Sequence, residues 1–393
     1  MIRTARTLGV ALAAALVLAG AAHAQDRTIL VGTVLKPDGT LAPNSAVVLV
    51  AGKVNAVLPA DQVKPDAKDT VRRYDAYPGA VISPGLIDLR SAAGALGQTA
   101  EHLHPVDPAL SASEAIDAAS PFFRDALEAG ITAVMVTPAE NNIVGGAAAT
   151  VRTWSPAGGA STLRTDGPMT FNLGTSVLDV NQGPTSRSGA LAMLRDALAV
   201  AKKDTSPDNR LARVLKKETD ALVACEGAED VDAAARTFGE YALTPNLVLD
   251  TSALEAVDDL AGSSLTVVLG PLTFSSSLKE LSAPARLQKA NLDVAFAGRT
   301  PLVAPVGLRV TAALAVRYGL DPARARRAMT SASAKVAGVA DRVGSLEPGK
   351  DADIAIFSAD PLRLDARVLE VYVQGTRAYE RPTPAQDTTW QKP

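Results

Sequence analysis

Over residues 81–343 short apolar runs alternate with segments whose apolar residues recur at helical spacing, and this repetition constrains the chain more than any other feature. The clearest unit is PFFRDALEAGITAVMVTPA. Phe122, Ala126 and Ala129 fall on one helical face, Gly130 ends the helix, and the apolar run 131–136 follows as a strand. The helix is expected over about 111–129. Comparable units are SGALAMLRDALAVAKK, AEDVDAAARTFGEYA and SALEAVDDLAG, trailed by runs such as NLVLD and LTVVLG. Strand–helix alternation of this kind predicts a parallel sheet. Residues 81–343 have the length of one (β/α)8 TIM-type barrel, for which about 250 residues is typical. With 47% hydrophobic residues in a chain of 393, there is enough apolar surface for such a core and a smaller second domain.

The texture differs on both flanks. Residues 25–80 are short alternating runs broken by Pro-Asp-Gly and Ala-Gly-Lys, which read as hairpin turns. It returns in residues 344–381 with SLEPGKDADIAIFSAD and VLEVYVQGTRAYE. Neither segment alone can bury a two-sided core, so the two are expected to pair into one small β-sandwich. Residues 382–393, rich in Pro, Thr and Gln, are expected to form a loose tail.

The first residues place Arg3 and Arg6 before an apolar run that ends in Ala22-His23-Ala24, the pattern of a signal peptide over residues 1–24. The run is shorter than the ~20 residues that span a bilayer, and no cysteine follows it to carry a lipid. Cleavage near Ala24 and a periplasmic or secreted protein are the expectation. Loss of Arg3 and Arg6 leaves 37 basic against 42 acidic residues, a mature charge of 37 − 42 = −5. There is no basic footprint for phosphate or anionic lipid, so neither nucleic acid nor a membrane is expected as partner. The single cysteine, Cys225, cannot form an internal disulfide and suits a buried, inert position.

Two motifs stand at the barrel's edges. Pro84-Gly85-Leu86-Ile87-Asp88 follows an apolar strand, and Gly344-Ser345-Leu346-Glu347-Pro348-Gly349-Lys350-Asp351-Ala352-Asp353 lies near the C-terminus. In this order and at this separation they resemble the signatures of the amidohydrolase superfamily. GLDPARARRAMTSASAKVAGVADRVGSLEPGKDADIAIFSADP is similar to the C-terminal region of its imidazolonepropionase-like branch. The resemblance implies a barrel with a divalent metal at its mouth, hydrolysing carbon–nitrogen bonds of amides, cyclic amides or dipeptides. It also implies ligand positions, and these are altered here. Where active members carry two histidines after strand 1, this chain has Arg90 and Ala92. Ala224 and Glu226 occupy the strand-5 positions, Asp250 aligns with the strand-6 histidine, and Arg299 stands where strand 8 offers an aspartate.

A guanidinium has no lone pair for a metal. Of three histidines, His23 belongs to the signal segment, leaving His102 and His104 in EHLHPVDP. A His-x-His pair is short of the three or four ligands a site needs, and two solvated loop histidines are the plainer reading. No metal or other cofactor is therefore expected. Oxygen ligation of magnesium or manganese by Glu226 or Asp250 is the remaining metal reading, opposed by the two arginines.

If the resemblance holds position by position, Arg90 and Arg299 face Glu226 and Asp250 across the mouth, as a salt-bridged plug or an anion pocket. The alternative is that these side chains point outward. Candidate substrate contacts are Asn142, Gly145 and Gly146 in NNIVGG, and Arg187 in SRSG. A tight turn for the first group and a helix start at Ser188 for the second are the structural alternatives. Two functions follow. One is a non-catalytic member that binds a small, anionic molecule or pairs with an active relative as a structural subunit. The other is a metal-independent hydrolase in which Glu226 or Asp250 is the general base and Arg90 or Arg299 steadies an oxyanion. The pKa of the carboxylates separates them: pairing lowers it, and isolation in an apolar site raises it.

Overall fold

The computed structural model describes residues 27–206 and 208–382, so the signal segment and all but the first residue of the tail lie outside the described residues. The chain opens with five strands, β1 (Thr28–Leu35), β2 (Leu41–Val50), β3 (Lys53–Pro59), β4 (Thr70–Arg73) and β5 (Val81–Pro84). The parallel-sheet region supplies β6 (Leu86–Ser91), β7 (Ile131–Val136), β8 (Val144–Ala147), β9 (Ala149–Arg152), β10 (Ser161–Arg164), β11 (Met169–Asn172), β12 (Ala221–Cys225), β13 (Asn246–Leu249), β14 (Thr266–Leu269) and β15 (Asp293–Phe296). The last strands are β16 (Ile354–Phe357), β17 (Val368–Val373) and β18 (Thr376–Glu380).

Strands from the two ends of the chain share one eight-stranded sheet, ordered β18-β17-β16-β5-β1-β2-β3 with β4 beside β1. The join is β5 against β16, antiparallel, with Pro84 opposite Ile354 and Val81 opposite Phe357. Period-two alternation sorts its apolar residues onto two faces: Leu30, Val47 and Leu49 pack in one cluster, Ile29, Ala46 and Val48 in another.

In the central region β6 and β7 run parallel, as do β11 through β15 in sequence order. Between the two groups the chain makes β8 and β9, which pair antiparallel with β11 and β7 respectively. A single parallel bridge, Leu89 to Ala297, links β6 to the residue after β15. The result is a mixed α/β fold in which the C-terminal ends of β6, β7 and β11–β15 give onto one set of loops.

The helices are α1 (Phe122–Glu128), α2 (Arg187–Lys203), α3 (Arg210–Leu215), α4 (Ala228–Gly239), α5 (Leu278–Lys289), α6 (Gly307–Arg317), α7 (Pro322–Ala328) and α8 (Ser331–Val336). The helix expected over 111–129 is confined to α1, preceded by a 3₁₀ turn at Ala112–Ala115. Pro121 stands at its N-cap, and a proline cannot donate to a preceding turn or allow Ser120 into helix easily. Its buried face is Phe123, Ala126 and Leu127, one residue rotated from the expected Phe122 stripe. The run ARARRAMTSASAKVAGV forms two helices, α7 and α8, because the Met329 carbonyl accepts from the Ile87 N–H at 2.9 Å and Thr330 leaves helical geometry.

One side chain clamps the end sheet to the central region. Arg152, at the end of β9, is fully buried and donates from Nε to Asp353 at 2.8 Å and from Nη2 to Asp351. Asp351 also pairs with Lys53 and with Arg342, the latter at 3.0 Å, and Asp353 takes the Gln374 N–H at 2.8 Å. The Asp-x-Asp of the C-terminal motif is thus an anchor.

Candidate functional site

The aspartate of the first motif lies at the floor of the strand ends. Asp88 is buried on β6, and its carboxylate accepts the backbone N–H groups of Gly298 at 2.5 Å and Thr300 at 3.0 Å. It thereby holds the segment after β15 from both sides of Arg299. Burial raises the Asp88 pKa, against the hydrogen bonds from Thr300 and Gly298 that lower it.

Arg90 follows two residues along β6. Its side chain is 5% exposed, donates to Glu140, and has Nη1 4.0 Å from an Asp250 carboxylate oxygen. Glu140 comes from the loop just past β7 and was not among the sequence candidates. Its place beyond the C-terminal end of a barrel-type strand, where such folds gather functional residues, was the available signal. Arg299 is half-buried, and among the described residues no carboxylate lies within 4.0 Å of its guanidinium and no acceptor is hydrogen-bonded to it. Both arginines have left-handed backbone, with φ of 55° and 57°, a conformation that a long side chain adopts only at a cost of order 1–2 kcal/mol.

The four expected partners do not all meet. Asp250 is at the mouth beside Arg90, with its side chain 54% exposed. Burial raises its pKa, Arg90 and Arg299 act to lower it, and Glu140 and Glu226 to raise it, with a net upward shift. Glu226 is turned away from the arginines. It accepts from the Thr175 N–H at 2.8 Å, the Thr175 hydroxyl at 2.6 Å and the Ser176 N–H at 3.1 Å. Burial pushes Glu226 up, but those bonds outweigh it and hold the carboxyl below its usual range. Arg90's strong partner is Glu140, so the expected facing of Arg90 by Glu226 is corrected: the loop after β11 supplies donors that reach Glu226 first.

The other candidates are engaged structurally. Asn142 is buried and donates to the His104 carbonyl at 2.7 Å, while its own carbonyl accepts from Asn172 at 2.6 Å, so it ties loops together. Gly145 and Gly146 lie buried in β8. A Cβ on Gly146, at φ 94°, would sit 2.4 Å from the Leu110 carbonyl oxygen, and one on Gly145 would sit 2.9 Å from the Thr170 hydroxyl. Close packing of protein on protein accounts for both glycines. Arg187 pairs with Glu229 at 2.7 Å and Asp230 at 3.2 Å, bridging α2 to α4. Ser186, and not Ser188, caps α2 by accepting from the Gly189 N–H at 3.2 Å. Cys225 is buried, and burial followed by the charges of Asp230 and Asp250 drives its thiol pKa up, an environment that disfavours the reactive thiolate. His102 and His104 are exposed and line a polar cavity of about 170 Å³ with Asn141 and Asp179.

Residues 309–379 match the Amidohydrolase family. The chain superimposes on an amidohydrolase from Thermotoga maritima MSB8 with TM-score 0.78 and 26% identity, covering 90% of this chain and 100% of that one. The fold is that of the amidohydrolase superfamily. A molinate hydrolase shares the amidohydrolase fold at TM-score 0.58 and 15% identity, over 92% of this chain and 99% of its own. By sequence, the amidohydrolase tasK of Hapsidospora irregularis is 30% identical over 101 residues, 26% of this chain and 10% of that protein. The chain thus matches about a tenth of the length of that curated relative.

The metal that the amidohydrolase fold implies does not suit the donors present. The guanidinium groups of Arg90 and Arg299 offer no lone pair, Glu226 is committed to Thr175 and Ser176, and Asp250 has Arg90 as its neighbour. Among the described residues no group of three or more His, Cys, Asp or Glu side chains is placed to hold a metal ion.

Proposed function

We propose that this chain is an exported amidohydrolase-family protein of the imidazolonepropionase-like branch that has lost metal-dependent hydrolysis and uses its barrel mouth to bind a small molecule. The observation that carries the reading is the Arg90–Glu140 pair: a buried guanidinium, ion-paired on one side and with Asp250 4.0 Å away on the other, fills the space at the end of β6. Hydrolysis of an amide near neutral pH needs a strong nucleophile, which a metal supplies by lowering the pKa of bound water toward about 7. A cation in its place repels a metal instead. The test is elemental mass spectrometry on mature protein before and after incubation with zinc and manganese. Less than about a tenth of an equivalent in both samples is expected; near-stoichiometric metal would reject the reading.

One observation favours the metal-independent hydrolase as a second reading. Asp250 is accessible at the strand ends beside Arg90, and burial raises its pKa in spite of the lowering by Arg90 and Arg299, which is the direction a usable general base needs. Amide and dipeptide substrates assayed with Asp250→Asn as control decide it. Turnover abolished by that change supports this second reading, and absence of turnover in the parent protein supports the first.

A further inference from the structure

The loops that follow the adjacent strands β14 and β15 carry four large apolar side chains facing solvent: Phe274 is 76% exposed, Leu278 69%, Leu302 61% and Val306 48%. These loops are held side by side. The Leu272 N–H donates to the Thr311 hydroxyl of α6 at 3.0 Å, and Leu278 and Val306 stand at the starts of α5 and α6, which pack on each other. Exposed apolar groups gathered in one region mark binding surfaces, whereas singly scattered ones need no explanation.

Arg299 belongs to the same segment. Its carbonyl accepts the Val303 N–H at 3.2 Å, closing the turn that displays Leu302. Asp88 pins the peptide on either side of it. Its guanidinium is half-buried and, among the described residues, unpaired, on a left-handed backbone with φ 57°. A partly desolvated cation without a partner is costly, and a rigidly held strained residue points to a use.

We propose that the β14–β15 side of the barrel mouth binds a small anionic amphiphile, its carboxylate on Arg299 and its apolar chain across Phe274, Leu278, Leu302 and Val306. The proposal rests on the small-molecule reading above and names the ligand class. Compact multivalent anions are disfavoured, because Glu140 and Asp250 flank Arg90, whereas Arg299 has no carboxylate within 4.0 Å among the described residues. A monovalent carboxylate with its own apolar body meets that single cation and gains from burying the rim.

Isothermal titration of the mature protein with monomeric decanoate tests it, with acetate and decanol as half-ligands and anionic phospholipid vesicles as a separate arm. Decanoate binds at one site, and acetate and decanol bind at least about tenfold more weakly, a difference of about 1.4 kcal/mol. Arg299→Ala and Leu302→Asp each lose about tenfold for decanoate, with unchanged melting temperature. Equal affinity for decanol, undiminished binding by both variants, binding to vesicles only, or no decanoate binding would each overturn the proposal. Leu302→Asp is a surface change and keeps the test decisive should Arg299→Ala fold poorly. Metal content of the same samples separates the two readings, since stoichiometric metal with decanoate binding intact removes the metal-free reading and leaves this one.

Discussion

At the scale of single residues, the heaviest electrostatic demand falls on Arg152, which balances two buried carboxylates at once. Replacing it by methionine keeps the volume and strands Asp351 and Asp353, so Arg152→Met is expected to destabilise by about 3–5 kcal/mol, read from urea unfolding at neutral pH. A loss below about 1 kcal/mol would mean that Lys53 and Arg342 suffice. Glu226 gives a pH-dependent case. Its folded pKa lies below the ordinary value, so its contribution is full above the unfolded carboxyl pKa and is lost as pH falls through the folded one. Glu226→Gln therefore lowers the urea midpoint near neutrality and has little effect in acid; an equal loss at both pH values would contradict the assignment. The motifs containing Asp88, Asp351 and Asp353 were legible in the sequence. Their use was not, because whether an acid grips a metal, an arginine or two peptide N–H groups depends on residues some two hundred positions away. The Thr175–Glu226 contact, across 51 positions, was hidden for the same reason.

Among the elements, α2 was readable, its cap Ser186 falling within two residues of the expected start. The helix α5, whose Ser277 and Glu280 bond reciprocally, was not among the expected ones although its cap residues stand in the sequence. The strand pairs β8 and β9 were not readable as antiparallel inserts, since four-residue apolar runs have no direction of their own. Gly146 in β8 and Gly158 in the turn between β9 and β10 provide a matched comparison: both have φ 94°, but a Cβ at Gly158 meets nothing within 4 Å while one at Gly146 meets the Leu110 carbonyl. Alanine at either position carries a left-handed backbone cost of about 1–2 kcal/mol, and Gly146→Ala adds an overpacking loss of about 1–3 kcal/mol. Thermal denaturation of the two variants should separate them clearly; equal shifts would show that the β8 segment yields.

For the whole molecule, the sheet formed by both chain ends and the Arg152 clamp predict one cooperative transition. Far-ultraviolet and near-ultraviolet circular dichroism should give coincident urea curves, and two separated midpoints would show that sheet and central region are independent units. The alternation over 81–343 made the central architecture legible as a class. The seat of the two arginines at one mouth was legible only through the resemblance, and the substitution of Glu140 for Glu226 as the partner of Arg90 emerged only in three dimensions.

The pairing of β5 with β16 has a temporal side. A ribosome makes β16 about 270 residues after β5, which at roughly 5–20 residues per second leaves β5 waiting about 14–54 s for its neighbour. Arg152 likewise waits for Asp351 and Asp353. Until those last residues emerge, the nascent chain lacks the strand that completes its first sheet and the acids that neutralise its buried cation. A chain with these two contacts unmade cannot close its first sheet, which is the form that the proposed export would require, and over that interval it depends on whatever holds incomplete chains apart.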